Sequence, residues 1–379
     1  MGDMKGQAAA SRSTGLPGSE SRSASRKLRY IPLAIGAITF AAGLLTGFSR
    51  IGIPTPESIL TLADLHGALM ISGFLGTLIS LERAVAFGRW WGYGAPAISA
   101  LGAIALLAGA TSIAMLCFLL AGAIMAAASC QLLIRHPALP LFLLCVATVT
   151  WMIGTWLWSR GQPMDQVVGW WLTFLVLTII AERLELSRLI SPPKISVALF
   201  CALVALLIFG AARGEYGHAD APFTGLGLIG CALWLLRYDI ARRTIRMGGA
   251  TRFAAVCMLA GHLWLGVAGL LLLIAPPTTA AFSYDAVVHM LAIGFVLSMV
   301  FGHAPIILPA VTGVRVAYSS FAYLPLALLH VSLMLRVSSD LLGWTEPRAA
   351  SGLLTALAVI GYAATLLVAT RRAKVHSGV

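Results

Sequence analysis

The sequence predicts an all-α polytopic membrane protein of twelve transmembrane helices, and three observations carry that prediction. Its 379 residues are 59% hydrophobic and 11% charged, with a mean hydropathy of +0.91, far outside the range of soluble domains. Twelve apolar stretches each have about the twenty residues an α-helix needs to cross roughly 30 Å of hydrocarbon. These stretches are continuously apolar rather than alternating, which argues against a transmembrane β-barrel.

Residues 1–29 are rich in Ser, Gly, Ala and Arg without apolar periodicity and read as a disordered basic cytoplasmic tail. The first span, 30–48, is long and lacks a small-residue cleavage site, so it reads as an uncleaved helix rather than a signal peptide. N-terminal acylation is not expected, because Gly6 occupies the Ser/Thr position of the motif. The second span, 65–82, opens on His66 and closes on Glu82 and Arg83. Spans three and four, 93–112 and 114–134, nearly join through Gly109 and Thr111. Spans five and six, 138–158 and 167–187, hold Trp151, Trp156, Trp158, Trp170 and Trp171 near their adjoining ends, read as an interfacial aromatic belt. Glu182 and Glu185 read as surface charge facing Arg183 and Arg188.

Spans seven and eight cover 195–212 and 221–239, and the basic cluster Arg242, Arg243 and Arg246 precedes the ninth at 252–274. The tenth, 284–303, runs from His289 to His303. Pro305 and Pro309 make the following APIILPAVTG a poor helix continuation, expected to be bent or re-entrant up to Arg315. Spans eleven and twelve, 319–337 and 350–370, complete the transmembrane domain at 30–370, with a cytoplasmic tail at 371–379.

With both termini in the cytoplasm, all but Arg50, Arg160, Arg213, Arg336 and Arg348 of the 26 Lys and Arg fall inside. That asymmetry predicts the orientation in a bacterial inner membrane and supports an even number of crossings. It also accounts for the net charge of +12 without a nucleic-acid partner. The six cysteines all fall in spans without CxxC spacing and read as apolar packing. No nucleophilic triad, phosphate-cradling loop or soluble zinc motif occurs.

The second, sixth and tenth spans resemble one another. HGALMISGFLGTLISLERA, GWWLTFLVLTIIAERLE and HMLAIGFVLSMVFGHAP all run in the same direction and end on polar or ionisable groups. A recurrence every four helices suggests three four-helix units with helices 2, 6 and 10 lining the centre, the alternative being coincidence of apolar text.

Five of the eight histidines, His66, His262, His289, His303 and His330, lie in or at the edge of spans. An ionisable side chain in hydrocarbon costs a few kcal/mol or more and marks a candidate site, and imidazole is the commonest ligand of metals and haem iron. His66 and His289 share a depth near the outer face and suit two axial ligands of one haem. Gly73 returns to the face of His66 and leaves room for a macrocycle. His303 lies about 21 Å along its helix from His289. His262 and His330 share a mid-membrane depth and are candidates for copper or a coordination site beside the haem. Asp64 and Asp285 are placed to orient the imidazoles or hold a counter-cation, and Arg50 or Arg336 to pair with haem propionates.

The stretches from GHLWLGVAGLLLL (Gly261) through VVHMLAIGFVLSMVFGHAP (Val287), together with LHGALMISGF, resemble the NnrS-type haem- and copper-containing membrane proteins. Trp264, His289, Gly302, His303 and His66 occupy the family's positions. The chain departs from that pattern at Gly67, Ala68, Leu69 and Met70, and at Ala304, Pro305 and Ile306. The three-by-four arrangement also resembles the catalytic subunit of haem-copper oxidases, although helices 6 and 7 lack its copper-ligating histidines. The resemblance implies b-type haem, with copper as a second cofactor, and a link to nitric oxide or respiratory stress through diatomic-ligand binding or electron transfer from a donor. A twelve-helix secondary transporter is the alternative, its Glu82, Arg83, Gly88 and Arg89 only mimicking a transporter motif. A scaffold without chemistry is a third class.

Overall fold

Hydrocarbon offers backbone polar groups no partner, so each crossing must satisfy its own peptide ladder. The computed structural model describes residues 19–187 and 190–376, and all regular structure among them is helical. The apolar helices are α1 (Ser19–Arg50), α2 (Ala63–Phe87), α3 (Trp90–Leu107), α4 (Thr111–Arg135), α5 (Leu139–Ser159) and α6 (Met164–Ser187). They continue with α7 (Lys194–Ala212), α8 (Pro222–Tyr238), α9 (Gly249–Ile274), α10 (Ser283–Thr312), α11 (Ser320–Leu342) and α12 (Thr345–His376). Among the described residues eleven of these are long and apolar enough to cross a membrane, which makes the chain a membrane protein. The helix at the eighth expected position, α8, has 17 residues and a length of about 26 Å.

Each helix packs on the next in sequence, and α1 also meets α10 and α12, so the two ends of the chain adjoin. Helix α6 is the most enclosed and α2 the next. Helix α10 touches α1, α2, α6, α9 and α11. The stretch read as an N-terminal tail is helical from Ser19 onward, because α1 extends outward from its apolar segment. Residues 1–18 lie outside the described residues, as does Arg188. Helix α12 likewise continues through most of the predicted C-terminal tail, to His376.

Helices α2 and α10 share a feature that no pattern of apolar residues announces. Each passes into a π-helical segment just after its first histidine, Leu69–Gly76 after His66 and Met290–Leu297 after His289. The wider i to i+5 ladder of such segments is frequent at functional sites. Both carry Gly-Phe at their fifth and sixth positions, Gly73-Phe74 and Gly294-Phe295. Both helices then end on a left-handed glycine, Gly88 at φ 70° and Gly313 at φ 76°, the conformation that closes a helix where a Cβ is unwelcome.

Two expectations are corrected. Three of the five tryptophans near the adjoining ends of α5 and α6 belong to the core rather than to an interfacial belt. Trp151 and Trp171 are fully buried and Trp158 nearly so, while Trp156 is exposed. The indole N–H of Trp151 donates to Ser72 Oγ of α2 at 3.0 Å, that of Trp171 to Thr155 Oγ1 at 3.2 Å, and Trp151 stacks on Phe174. With their polar edges satisfied, these rings fill the core between α2, α5 and α6.

The second correction is that APIILPAVTG does continue the helix, since α10 runs through Pro305 and Pro309 to Thr312. A proline leaves the carbonyl four residues earlier without its donor. For Pro305 that carbonyl is Phe301 O, and the Tyr362 hydroxyl of α12 donates to it. Tyr362 also stacks on the Phe301 ring, with centroids 3.9 Å apart. A neighbouring helix thus supplies the missing hydrogen bond, as helices in membranes allow. Replacing Tyr362 with Phe is expected to destabilise the fold by about 1 kcal/mol, read as a lower unfolding midpoint in detergent. An unchanged midpoint would show that another group serves Phe301 O.

Candidate functional site

Of the five predicted histidines, the structure brings two together. The rings of His66 (α2) and His289 (α10) face one another with centroids 6.4 Å apart and planes 16° from parallel. Each is oriented by a backbone carbonyl. His66 Nδ1 donates to Gly43 O of α1 at 2.8 Å, and His289 Nδ1 to Asp285 O, one turn earlier, at 2.7 Å. Spending the Nδ1 proton this way leaves Nε2 of each ring as a lone-pair donor. A metal bound by both, with metal–nitrogen bonds of about 2 Å, would hold the ring centres about 6 Å apart, close to the separation observed.

Gly73, expected to leave room for a macrocycle, packs against α1 and does not line the cavity beside the two rings, while α1 makes room for the His66 ring. A Cβ at Gly47 would lie 3.0 Å from His66 Cε1, whereas one at Gly73 would strike Thr39 in ordinary helix packing. The GLLTG stretch of α1 therefore contributes twice, with the Gly43 carbonyl as acceptor and Gly47 as clearance. Such small-xxx-small spacing in an apolar helix was the one available sequence signal for it.

Both rings line a cavity of about 680 Å³ between α1, α2, α10 and α12, predominantly apolar and within the usual size range of ligand and cofactor sites. Phe40, Leu44, Met70, Phe74, Ile293 and Val359 furnish its walls, while Arg50, Asp64, Asp165, Tyr216, Tyr284, Asp285 and Arg336 stand toward its polar end. The carboxylate of Asp285 does not orient an imidazole as expected. It pairs with Arg348, with Arg336 at 3.7 Å. Asp340 completes a balanced ring, accepting from Arg336 Nε at 2.9 Å and from Arg348 Nε at 2.7 Å. These four charges tie α10, α11 and α12 together and commit Arg336 to the protein. Arg50 is held more lightly, 3.8 Å from the fully exposed Asp64.

The remaining three histidines are elsewhere. His330 Nδ1 accepts the indole N–H of Trp264 at 3.0 Å, which spends that lone pair. Trp264 in turn lies where a Cβ at Gly294 would be, 2.5 Å from its Cγ, so α9 and α10 approach through a glycine. His262 faces Asp239, and neither His262 nor His330 lines the cavity. Among the described residues no three His, Cys, Asp or Glu side chains gather into a group able to hold a metal ion. The donor set expected for copper is thus not assembled.

His303 lies at the opposite end of α10 from His289. Its Nδ1 donates to Met299 O at 2.8 Å, and its Nε2 accepts from Arg183 of α6 at 2.7 Å. Beside it, Arg83 of α2 donates to Glu182 of α6 at 2.6 Å and to Glu82 at 3.0 Å. Glu182 therefore pairs across helices instead of forming surface charge with Arg183, and Arg183 is buried. The ionisable ends of α2, α6 and α10 meet one another through these bonds.

Residues 29–371 match the family described as Domain of unknown function (DUF8744). No curated protein and no solved structure matches the chain.

Arg83→Met is expected to cost about 2 kcal/mol, below the 3 to 5 of breaking a fully buried pair because both carboxylates retain some solvent contact. Adding Glu182→Gln should recover part of the loss, measured as unfolding midpoints of the single and double variants. No recovery would mean that Arg83 acts through packing.

Proposed function

The chain belongs to the DUF8744 family, whose description names no activity, and we propose that it is a haem-binding integral membrane protein that carries electrons. The observation that carries this reading is the His66–His289 pair, two neutral-tautomer imidazoles at metal-bridging separation beside an apolar cavity. The fit extends to the surroundings. Aliphatic and aromatic walls suit a macrocycle, and of Arg50 and Arg336, which both line the cavity, Arg50 is held more lightly, so a haem carboxylate is its natural partner.

His66 and His289 would hold the haem, and it would supply one-electron exchange at iron. The chain's residues hold and tune it. Gly43 O and Asp285 O fix the tautomer and rotation of the two rings and raise their basicity. The Asp285–Arg348–Asp340–Arg336 ring anchors the start of α10 and with it His289. With His66 and His289 both committed to the group, the chain would leave it no free place for a diatomic ligand, which favours electron transfer over ligand binding. The likeness to NnrS-type proteins adds nitric oxide or respiratory stress as the physiological setting. We further count α8 as a crossing, giving twelve helices in three four-helix units around α2, α6 and α10, with both termini cytoplasmic in a bacterial inner membrane.

An optical spectrum of protein purified from haem-supplemented cells tests the proposal. A Soret band with low-spin, reduced-minus-oxidised features is expected. His66→Ala and His289→Ala should each abolish the low-spin features, and Gly47→Leu should mimic His66→Ala by displacing its ring. A folded, colourless protein would sink the reading in favour of a transporter or scaffold. Arg50→Gln should lower haem affinity about tenfold, the effect of roughly 1.5 kcal/mol from one charge-assisted hydrogen bond, measured by haem transfer to an acceptor apoprotein.

A further inference from the structure

The far end of the bundle carries a buried pair that the cavity does not use. Asp239, on the turn after α8, and His262, within α9, are both fully enclosed, and Asp239 Oδ2 stands 3.6 Å from His262 Nε2. Asp239 Oδ1 accepts the Ala241 N–H at 2.8 Å. Its Oδ2 and both ring nitrogens of His262 have no hydrogen-bond partner, although each buried polar atom left so costs about 1 to 3 kcal/mol. The gap is only slightly beyond hydrogen-bond range, and a shift of about half an ångström closes it.

The charged groups around the pair decide which protonation state suits it. Arg183 of α6 is the facing cation, itself engaged with His303 of α10 at 2.7 Å and with Met258 Sδ of α9 at 3.1 Å. Phe295 of α10 covers the His262 ring. An imidazolium would lie near Arg183, and an ionised Asp239 would keep one oxygen unsatisfied in an apolar site. A carboxylic acid facing a neutral imidazole avoids both costs.

We propose that Asp239 and His262 form a buried binding site for one exchangeable proton, carried on Asp239 Oδ2 and donated in a hydrogen bond to the neutral His262 Nε2 when the pair closes. The site involves neither His66 nor His289 and stands independently of the haem reading.

Infrared spectroscopy of the full-length protein in lipid nanodiscs near neutral pH tests it. A protonated-carboxyl C=O absorption is expected that shifts down in D₂O, shifts with [4-¹³C]aspartate labelling and disappears in Asp239→Asn. Asp239→Glu should transfer the band to the glutamate-labelled pool, which keeps the assignment testable if the Asn variant does not fold. His262→Phe should change the frequency by removing the hydrogen-bond acceptor. The proposal is overturned if aspartate-labelled wild type lacks the band, if the band persists in Asp239→Asn, or if His262→Phe leaves its frequency unaltered.

Discussion

A helix that takes an ionisable side chain into hydrocarbon must find its partner on another helix, and the centre of this protein is organised by that requirement. Arg83 of α2 reaches Glu182 of α6, and Arg183 of α6 reaches His303 of α10. The consecutive Glu182 and Arg183 point to different neighbours, so one turn of α6 ties three helices at one end of the bundle. Because that end is fixed, the opposite ends of α2 and α10 are held in register where His66 and His289 face each other.

At the histidine end, backbone geometry does the positioning. Carbonyls at Gly43 and Asp285 are less mobile than side-chain acceptors, and Gly47 removes the atom that would otherwise occupy the His66 ring's place. Each histidine is followed by a π-helical segment, so the side chains beyond it are rotated relative to a regular α-helix. The result is a pair of imidazoles presented at the wall of a cavity rather than buried against a neighbouring helix.

Around this frame the polar groups are balanced in a way that separates structural from available charges. Asp285, Asp340, Arg336 and Arg348 satisfy one another and join the last three helices. Glu215 is similarly consumed, its carboxylate accepting the Thr224 N–H at the start of α8. Arg50 and the pair Asp239–His262 lie outside these networks.

Helices and their order were legible because a twenty-residue apolar run has few alternatives in a membrane; among the described residues eleven helices are long and apolar enough to cross, and a shorter apolar helix, α8, stands at the remaining expected position. The choice of His66 and His289 was legible too, from equal depth on two similar helices. What composition and spacing left undecided was every relation across helices: Trp151 as core rather than interface, Tyr362 sustaining α10 through Pro305, Gly47 rather than Gly73 beside His66, and His330 consumed by Trp264. Hydropathy measures each helix against lipid, one segment at a time. Which of its polar atoms meet a partner depends on rotation and close approach between helices, and only the tertiary structure decides those.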